Sequence, residues 1–313
     1  MKDRENTKYN ELLKLKFNFN ETLQRLSKVN TKDLEEPTQE KQSDLSRPTP
    51  FIKWVGGKRS IISELKARLP ENINNYYEAF VGGGALFYEI YDKADKCFLS
   101  DINFDLLITY SVIKRDLPLL LKVLEKHKKK HNNEYYYKVR SQHGLKDPIE
   151  IAGRFIYLNK TCFNGLYRVN KKGEFNVPIG KYSNPGILKA DNLKAVSEAL
   201  SNTDINIREF DEITPKQGDF VYFDPPYQPL DSNSFTTYTK DNFTEQDQIR
   251  LRDFALDLTK TGVNVMLSNS NVKFIRDIYS SNSFNIQIVN APRNVNCKPN
   301  KRGVVEEVLI TNY

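Results

Sequence analysis

The segment Asp224-Pro225-Pro226-Tyr227 contains residue types that can hold a planar amine for a chemical reaction. Because proline has a fixed φ and no N–H, the two prolines make a stiff turn in which the Pro225 carbonyl can accept a hydrogen bond. An amino group held between that carbonyl and the Asp224 carboxylate has its nitrogen aligned for attack on a sulfonium methyl group. Tyr227 provides a flat face on which an extruded nucleobase can stack. The alternative is an ordinary Pro-Pro turn with Asp224 as its acceptor.

A glycine-rich segment earlier in the chain has the pattern of a cofactor loop. Residues 76–81 are typical of a buried strand, and residues 82–84 are typical of a turn that brings bare backbone close to a ligand. Asp101 ends the next predicted strand, residues 96–100, where a carboxylate can accept hydrogen bonds from ribose hydroxyls. The fingerprint of dinucleotide-binding loops, G-x-G-x-x-G, needs a small residue at the position of Phe87. The sequence therefore favours a cofactor that contains adenosine but no pyrophosphate. The alternative is an ordinary strand-to-helix turn.

These two segments belong to a pattern that predicts an α/β fold. A short apolar run ending at Phe223 would deliver Asp224 to the carboxyl edge of a sheet, where open α/β sheets bind ligands. Further strand patterns follow. A helix over residues 245–259 is predicted between the strand that ends at Phe223 and the next strand, residues 263–268. The strands predicted in this half of the chain are 219–223, 263–268, 285–289 and 304–310.

A mostly helical and basic block divides this pattern. It covers residues 106–210 and contains a Gly-, Asn- and aromatic-rich hairpin at about 161–185. The sequence therefore predicts a discontinuous catalytic domain, residues 51–105 and 211–313, that surrounds a mainly helical insertion. In residues 1–50, one helical pattern precedes a polar, flexible linker. The alternative for this extension is a disordered tail without activity.

The composition favours a polyanionic partner, since 47 Lys and Arg outnumber 40 Asp and Glu and give a net charge of +7. Cys97, Cys162 and Cys297 have no CxxC spacing, which argues against a zinc site or a disulfide framework and indicates a reducing compartment. His127 and His131 have no carboxylate nearby to complete a metal site, so we expect no metal. No apolar run reaches the ~18 residues of a membrane span, so we expect a cytoplasmic protein.

Several motifs resemble those of DNA adenine N6-methyltransferases of the Dam type, in the order that defines their alpha class: cofactor motif, recognition insertion, then DPPY. Residues 51–58 are similar to the family's KWxGGK box, residues 78–84 to its ExFxGxG motif and residues 100–103 to its DIN box. Within the insertion, residues 163–170 and 173–182 resemble the family's NGLxRxN and GEFNVPxGxY hairpin. The resemblance covers the chain from the first of these boxes to the C-terminus.

This resemblance implies a Rossmann-like sheet that binds S-adenosylmethionine, without a metal. It also implies site-specific, adenine-specific methylation at N6 within double-stranded GATC, after the target base is flipped into the DPPY pocket. Trp54 offers a stacking face and Lys58 a cation for the methionine carboxylate, although a core indole and a solvated lysine are the structural alternatives. The residues assigned to the cofactor are Trp54, Lys58, Glu78, Phe80, Gly82, Gly84, Asp101 and Asp224. The catalytic residues are Asp224, Pro225, Pro226 and Tyr227.

By the same resemblance the hairpin enters the DNA major groove and reads the site. The Arg168 guanidinium has the chemistry to bind a base edge or a phosphate, and the Asn164 side chain can make an amide contact with DNA. Tyr182 can bind a phosphate. Cys162-Phe163 stands where familiar members have Tyr-Gly-Tyr, and Tyr167 replaces a small residue, which affects the base contacts and not the fold. The residues assigned to DNA are Lys53, Phe163, Asn164, Leu166, Arg168, Pro178 and Tyr182.

Two other functions are compatible with a pocket for a flat amine. One is methylation of adenine in RNA or of cytosine at N4, against which the recognition hairpin argues. The other is a DNA-binding homologue that has lost catalysis, against which the intact DPPY segment argues. For the enzyme we expect a monomer that acts on double-stranded DNA in the cytoplasm, associated with the nucleoid.

Overall fold

The computed structural model describes residues 2–26, 46–229, 243–281, 283–292 and 304–313. Across these ranges, seven strands form one sheet in the order β3-β2-β1-β4-β5-β7-β6. The strands are β1 (Asn75–Glu78), β2 (Lys96–Asp101), β3 (Thr203–Ile207), β4 (Phe220–Phe223), β5 (Asn264–Ser270), β6 (Asn285–Pro292) and β7 (Val304–Thr311). The helices are α1 (Lys2–Leu26), α2 (Ile62–Lys66), α3 (Phe87–Ile90), α4 (Phe104–Arg115), α5 (Leu117–Lys130), α6 (Asn133–Arg140), α7 (Pro148–Thr161), α8 (Ala190–Ala199), α9 (Glu245–Lys260) and α10 (Lys273–Ile278).

The centre of the sheet is parallel and buried on both faces. Every residue of β4 is buried, as expected for an apolar Phe-Val-Tyr-Phe strand between two parallel neighbours. β7 pairs antiparallel with both β5 and β6, so the C-terminal end of the chain completes the sheet. The chain is thus an α/β protein with the strand arrangement of a Rossmann-like methyltransferase, as the sequence predicted.

The strands predicted after residue 210 are all present, with ends that differ by one to three residues. The strand predicted before the glycine loop, residues 76–81, is β1, and it ends at Glu78 and not at Val81. Beyond Glu78 the chain leaves β4, and the Val81 amide donates to the Ser100 carbonyl of β2 at 3.0 Å. One strand was not predicted: β3 pairs parallel with β2, although its residues lie in the block assigned to the helical insertion.

The hairpin of the insertion follows α7 directly. Asp147 caps the N-terminus of α7 by accepting from the amides of Ile149 and Glu150, and the helix ends at Thr161. Isolated antiparallel bridges then join Cys162 to Ile179 and Val169 to Phe175. The predicted hairpin therefore has few ladder bonds, and side-chain contacts described below hold its base.

The N-terminal helical pattern forms the long helix α1, which packs against α4, α7 and β3. Phe19 is 1% exposed and meets the ring of Phe104 edge-on, with 6.4 Å between centroids. Lys16 Nζ lies 2.5 Å from Glu212 Oε1. Most of the linker predicted after this helix lies outside the described residues. None of the helices described here is long and apolar enough to cross a membrane.

Candidate active site

The two motifs predicted to do chemistry meet where the strand order of the sheet reverses. β1 and β4 are adjacent, and the chain continues from β1 towards β2 on one side and from β4 towards β5 on the other. In open α/β sheets, ligands bind in the crevice at the carboxyl ends of such strands. Glu78 is the last residue of β1 and Asp224 follows the last residue of β4, so both carboxyl groups lie at this edge.

Lys58 lies against the two side chains of the DPPY turn that carry chemistry. Its Nζ is 2.7 Å from Asp224 Oδ1 and 4.8 Å from the centroid of the Tyr227 ring, and it donates to the Gly56 carbonyl at 2.5 Å. The side chain of Lys58 is 5% exposed. The Tyr227 hydroxyl donates to Glu307 Oε2 at 2.7 Å. The lysine ammonium therefore borders both surfaces that the sequence assigned to a target base, namely the carboxylate and the tyrosine face.

The two carboxyl groups of the crevice differ in charge at neutral pH. Burial raises the pKa of Asp224 to about 6, against the lowering effect of the Lys58 ammonium. Burial raises the pKa of Glu78 to about 8, although its carboxylate accepts from the Tyr76 hydroxyl at 2.8 Å and from the Phe87 amide at 3.1 Å. Near pH 7, Asp224 is therefore mainly ionised and Glu78 mainly neutral. Of these two carboxyl groups, Asp224 is thus the one that is charged beside the lysine.

Two buried amides, which the sequence analysis did not single out, hold the DPPY turn in place. Gln248 of α9 donates to the Pro226 carbonyl at 2.9 Å, and Asn269 of β5 donates to Gln248 Oε1 at 3.0 Å. Asn269 Oδ1 accepts from the Gln228 amide at 3.2 Å. Both amide side chains are fully buried. The run of polar residues Ser268–Ser270 at the end of an otherwise apolar strand is the signal that could have identified Asn269.

The glycine loop packs against Trp54 and Asp101. Gly82 has φ +45°, and a Cβ added there would lie 2.5 Å from the Trp54 ring. Gly84 has φ +65°, and a Cβ there would lie 2.8 Å from the Tyr110 hydroxyl. The Asp101 carboxylate accepts from the Gly82 amide at 3.1 Å. Bare backbone is thus required at Gly82 for the packing of Trp54; the close approach to a ligand that the sequence indicated for this glycine stays a prediction.

Phe80 belongs to an aromatic cluster beside the end of β4. Its ring stacks on Phe210 with 5.7 Å between centroids and meets Phe243 and Phe223 edge-on at 5.8 and 6.4 Å. Phe210 starts the 3₁₀ turn that follows β3. The sequence did not point to Phe210, because the preceding strand was not predicted. The cluster forms an apolar wall on the β3 side of the crevice.

The N-terminal box is joined to the base of the recognition hairpin by Asn159, the third residue from the end of α7. Asn159 Oδ1 accepts from the Lys53 amide at 2.8 Å, and its Nδ2 donates to the Lys53 carbonyl at 2.8 Å and to the Gly165 carbonyl at 3.1 Å. Beyond the backbone, Lys53 Nζ lies 3.3 Å from the Tyr182 hydroxyl and 4.7 Å from the centre of its ring. Lys53 and Tyr182, both assigned to DNA, are thus neighbours.

The other predicted DNA contacts are distributed along the hairpin. Phe163 is 42% exposed, and its amide donates to the Pro178 carbonyl at 2.8 Å. Asn164 is exposed and adopts φ +57°. Arg168 is exposed, and its guanidinium donates to Asn176 Oδ1 at 2.7 Å. Leu166 differs from these residues because it is only partly exposed and packs on the hydrophobic core.

Tyr167 fills the space between the hairpin and the glycine loop. Its ring stacks on Trp54 with 5.6 Å between centroids and 27° between planes, and it also contacts Phe155 and Phe175. The large residue at this position, where the sequence pattern departs from the family, is therefore accommodated by packing on the indole of Trp54. In this structure the predicted stacking face of Trp54 is covered by Tyr167.

An acidic Pro-Pro-Tyr turn at the switch point of a seven-stranded sheet in this order defines a Rossmann-like methyltransferase that acts on an amino group. The family model for D12 class N6 adenine-specific DNA methyltransferases matches residues 54–295, which is most of the chain. The chain belongs to this family. It is therefore an enzyme that methylates adenine in DNA at N6.

Curated relatives match over almost their whole length. The chain is 46% identical over 288 residues to the Type II methyltransferase M.MjaIII of Methanocaldococcus jannaschii, which covers 84% of this chain and 99% of the relative. It is 41% identical to the Type II methyltransferase M1.LlaDCHI of Lactococcus lactis subsp. cremoris, over 84% of this chain and 95% of the relative. It is 33% identical to the DNA adenine methylase of Vibrio cholerae, over 83% of this chain and 94% of the relative.

Proposed function

We propose that this enzyme transfers a methyl group from S-adenosylmethionine to N6 of adenine within double-stranded GATC, on a base flipped out of the duplex. The observation that carries this proposal is the arrangement of Asp224, Lys58 and Tyr227 at the carboxyl edge of β4. It offers an anionic acceptor, a cation and an aromatic face within one crevice.

The residues around the glycine loop fit S-adenosylmethionine. When bound, this cofactor supplies a methyl group on a positively charged sulfur. Asp101 accepts from the Gly82 and Asn103 amides, one to each carboxylate oxygen, and a carboxylate has further lone pairs for the hydroxyls of a ribose. The aromatic wall that includes Phe80 and Phe210 suits a flat adenine ring. These features support an adenosine-type cofactor beside the DPPY turn.

The DPPY turn would orient the amino group of the target adenine. One N6 hydrogen would be donated to Asp224, which is mainly ionised at neutral pH because its pKa is about 6. The second would be donated to the Pro225 carbonyl, for which no other donor lies within reach in the described part of the chain. The Pro226 carbonyl is already occupied by Gln248. Two acceptors align the nitrogen lone pair and polarise the N–H bonds, which favours nucleophilic attack.

Lys58 must give up part of its contact with Asp224 when the base enters. Its ammonium lies near the face of Tyr227, where a stacked base would lie. A movement of this side chain would clear the ring, and its ammonium would then be free to pair with an anion such as the carboxylate of the cofactor's methionine moiety. Lys58 thus neutralises Asp224 before the base arrives and becomes available to an anionic group afterwards.

The hairpin supports recognition of duplex DNA, because its exposed Phe163, Arg168 and Pro178 combine apolar and guanidinium chemistry suited to bases and phosphates. GATC is proposed from the resemblance of its motifs to those of the Dam type. One chain contains the catalytic turn, the cofactor loop and the hairpin, so we propose a monomer that acts in the cytoplasm where the nucleoid lies.

The test uses methyl-labelled S-adenosylmethionine and two duplexes of equal composition, one with a central GATC and one with those four bases permuted. We expect label in N6-methyladenine of the GATC duplex only. Asp224→Ala should lower kcat by roughly 10²- to 10³-fold, as expected for loss of an oriented acceptor. Asp253→Ala on α9, whose side chain is 59% exposed, is the matched control and should retain activity. Equal labelling of both duplexes would refute GATC as the target sequence, and label in cytosine would refute adenine as the target base.

A further inference from the structure

Helix α5 of the insertion carries a dense row of exposed cations outside the crevice and the hairpin. Lysines occupy positions 122, 126, 128, 129 and 130, and all five side chains are exposed. The one acidic residue among them, Glu125, lies 3.5 Å from Lys129. Lysines in the last turn of a helix are favoured by the helix dipole, but this effect does not reach Lys122 or Lys126. These five lysines are called the lysine ridge below.

The lysine ridge borders a shallow groove of about 530 Å³. Leu121 of α5 and Leu188, which precedes α8, provide its apolar surface. Four lysines and one acid provide its charges, namely Lys122, Lys126, Lys129, Lys130 and Glu125. Aliphatic lysine stems and leucines can contact sugar rings, and ammonium groups can reach phosphates on either side of such a groove.

The carboxyl end of α5 lies beside the end of α7 from which the recognition hairpin emerges. His127 stacks on Tyr157 with 4.7 Å between ring centroids, and His131 Nδ1 lies 2.9 Å from the Tyr157 hydroxyl. Tyr157 is one helical turn before Thr161, where α7 ends. The direction of α5 is therefore fixed relative to the hairpin, with the C-terminal end of the lysine ridge nearest to it.

A chain of cations connects the lysine ridge with the hairpin. Lys189 is adjacent to Leu188 of the groove, and it lies close enough to Lys160 to lower the pKa of that amine. Burial is the larger cause, and it brings the pKa of Lys160 to about 8, with Lys53 acting in the same direction as Lys189. Lys53 in turn contacts Tyr182. Neighbouring cations repel one another, and a bound polyanion relieves that repulsion.

We propose that the lysine ridge binds phosphates of the DNA duplex that flanks the target site, so that the footprint of the enzyme continues beyond the hairpin along α5. From Lys122 to Lys130 the helix rises about 12 Å, at 1.5 Å per residue. Duplex DNA carries one charge per about 3.4 Å of its axis on each strand, so this length matches about three to four phosphates of one strand. These contacts carry no sequence information and add affinity for long DNA. The proposal rests on duplex DNA as the substrate.

The test compares a short duplex of about 12 base pairs centred on the target with a duplex of about 40 base pairs that contains the same site. The variant is Lys122→Ala/Lys126→Ala/Lys130→Ala. Its matched control, Lys93→Ala/Lys260→Ala/Lys273→Ala, removes three exposed lysines outside the insertion and changes the net charge equally. Binding is measured by fluorescence anisotropy over a range of salt concentrations, and methylation is measured separately.

On the 40-base-pair duplex, each phosphate contact that the triple variant loses should reduce the slope of log Kd against log salt by about 0.9. At 0.1 M salt, each lost contact should also raise Kd roughly 8-fold. The short duplex should bind with a Kd within twofold of the unsubstituted enzyme, and kcat should be unchanged on both. The same Kd change in the control variant, an equal change on both duplexes, or no change on the long duplex would overturn the proposal. So would loss of binding to anionic lipid vesicles with no loss on long DNA.

These outcomes are separate from those that test the proposed GATC methylation. If the unsubstituted enzyme methylates neither duplex, the proposed function fails, while the anisotropy data still decide whether the lysine ridge binds flanking DNA. Circular dichroism melting of both triple variants checks folding, and equal melting temperatures are expected because every substituted side chain is exposed.

Discussion

Substitution of Lys58 by methionine should change the pH dependence of catalysis more than the fold. The side chain is 5% exposed, and its ammonium lies 2.7 Å from Asp224 Oδ1. Methionine has a similar length and no charge, so it fills the same space while Asp224 loses its cation. Burial and the nearby Glu307 carboxylate then act on the carboxyl group without an opposing cation, and its pKa rises above the value of about 6 that it has beside Lys58.

An opposite charge at this distance lowers a carboxyl pKa by roughly 1–3 units, so its removal should place the pKa of Asp224 at about 7–9. Catalysis needs the ionised carboxylate to accept the amino hydrogen, and activity is therefore lost as pH falls through this pKa. At pH 7 the ionised fraction should fall from about nine-tenths to between about one half and one hundredth, which corresponds to a roughly 2- to 100-fold loss of kcat/KM for DNA.

The assay is a profile of kcat/KM for DNA against pH, at saturating S-adenosylmethionine, between pH 5 and pH 10, because kcat/KM follows the pKa of Asp224 before the target base binds. Lys58→Met should move the acidic limb upward by about 1–3 units and recover much of its activity at high pH. Lys58→Arg, which keeps a cation, should leave the limb near its original position. An acidic limb that is unchanged in Lys58→Met would refute the view that the lysine sets the charge of Asp224. A uniform loss at every pH would assign Lys58 to cofactor binding alone.

Two further substitutions test how the crevice is held. Gly82→Ala should lower the melting temperature, measured by circular dichroism, more than Gly144→Ala does. Both glycines have positive φ, so either substitution adds a backbone strain of about 1–2 kcal/mol, but only at Gly82 does the new Cβ meet Trp54. Equal losses in the two variants would contradict this. Asn269→Ala leaves Gln248 with an unsatisfied buried amide oxygen and should cost about 1–3 kcal/mol in urea denaturation. Single-turnover kinetics should show slower methyl transfer with little change in DNA affinity, and a change in affinity alone would argue against its role in holding the turn.

The strands that carry the site could be predicted because they are apolar and end in distinctive residues. β4 is a continuous Phe-Val-Tyr-Phe run with Asp224 at its end, and β1 leads into the glycines. β3 could not be predicted in the same way. Its Thr-Asp-Ile-Asn-Ile sequence puts Asp204 and Asn206 on the more exposed side of an edge strand, and both residue types have low strand propensity. Pairing with β2, a tertiary interaction, determines this strand.

In the candidate site, too, some residues could be identified from the sequence, whereas their contacts with each other depend on the fold. Asp224, Tyr227 and Lys58 could be singled out because their types and order are distinctive in the sequence. The contact of Lys58 with both of the others could not, since it joins residues more than 160 positions apart. Gln248 had no motif of its own and Asn269 had only the polar run Ser268–Ser270, because an amide inside a strand or helix pattern usually indicates a solvated position. Their burial depends on how α9 and β5 pack around the turn.

The contacts of Asn159 have a consequence for engineering target specificity. One side chain holds both backbone groups of Lys53 and the carbonyl of Gly165, so the base of the hairpin and the box beside the crevice form one rigid unit. A hairpin from a relative with another target sequence, grafted without an acceptor in the place of the Gly165 carbonyl, would leave the Asn159 side chain bound to Lys53 but no longer to the hairpin. Its register relative to the catalytic turn would then be lost. Specificity in this enzyme is therefore modular only if the graft includes the end of α7 and the first residues of the N-terminal box.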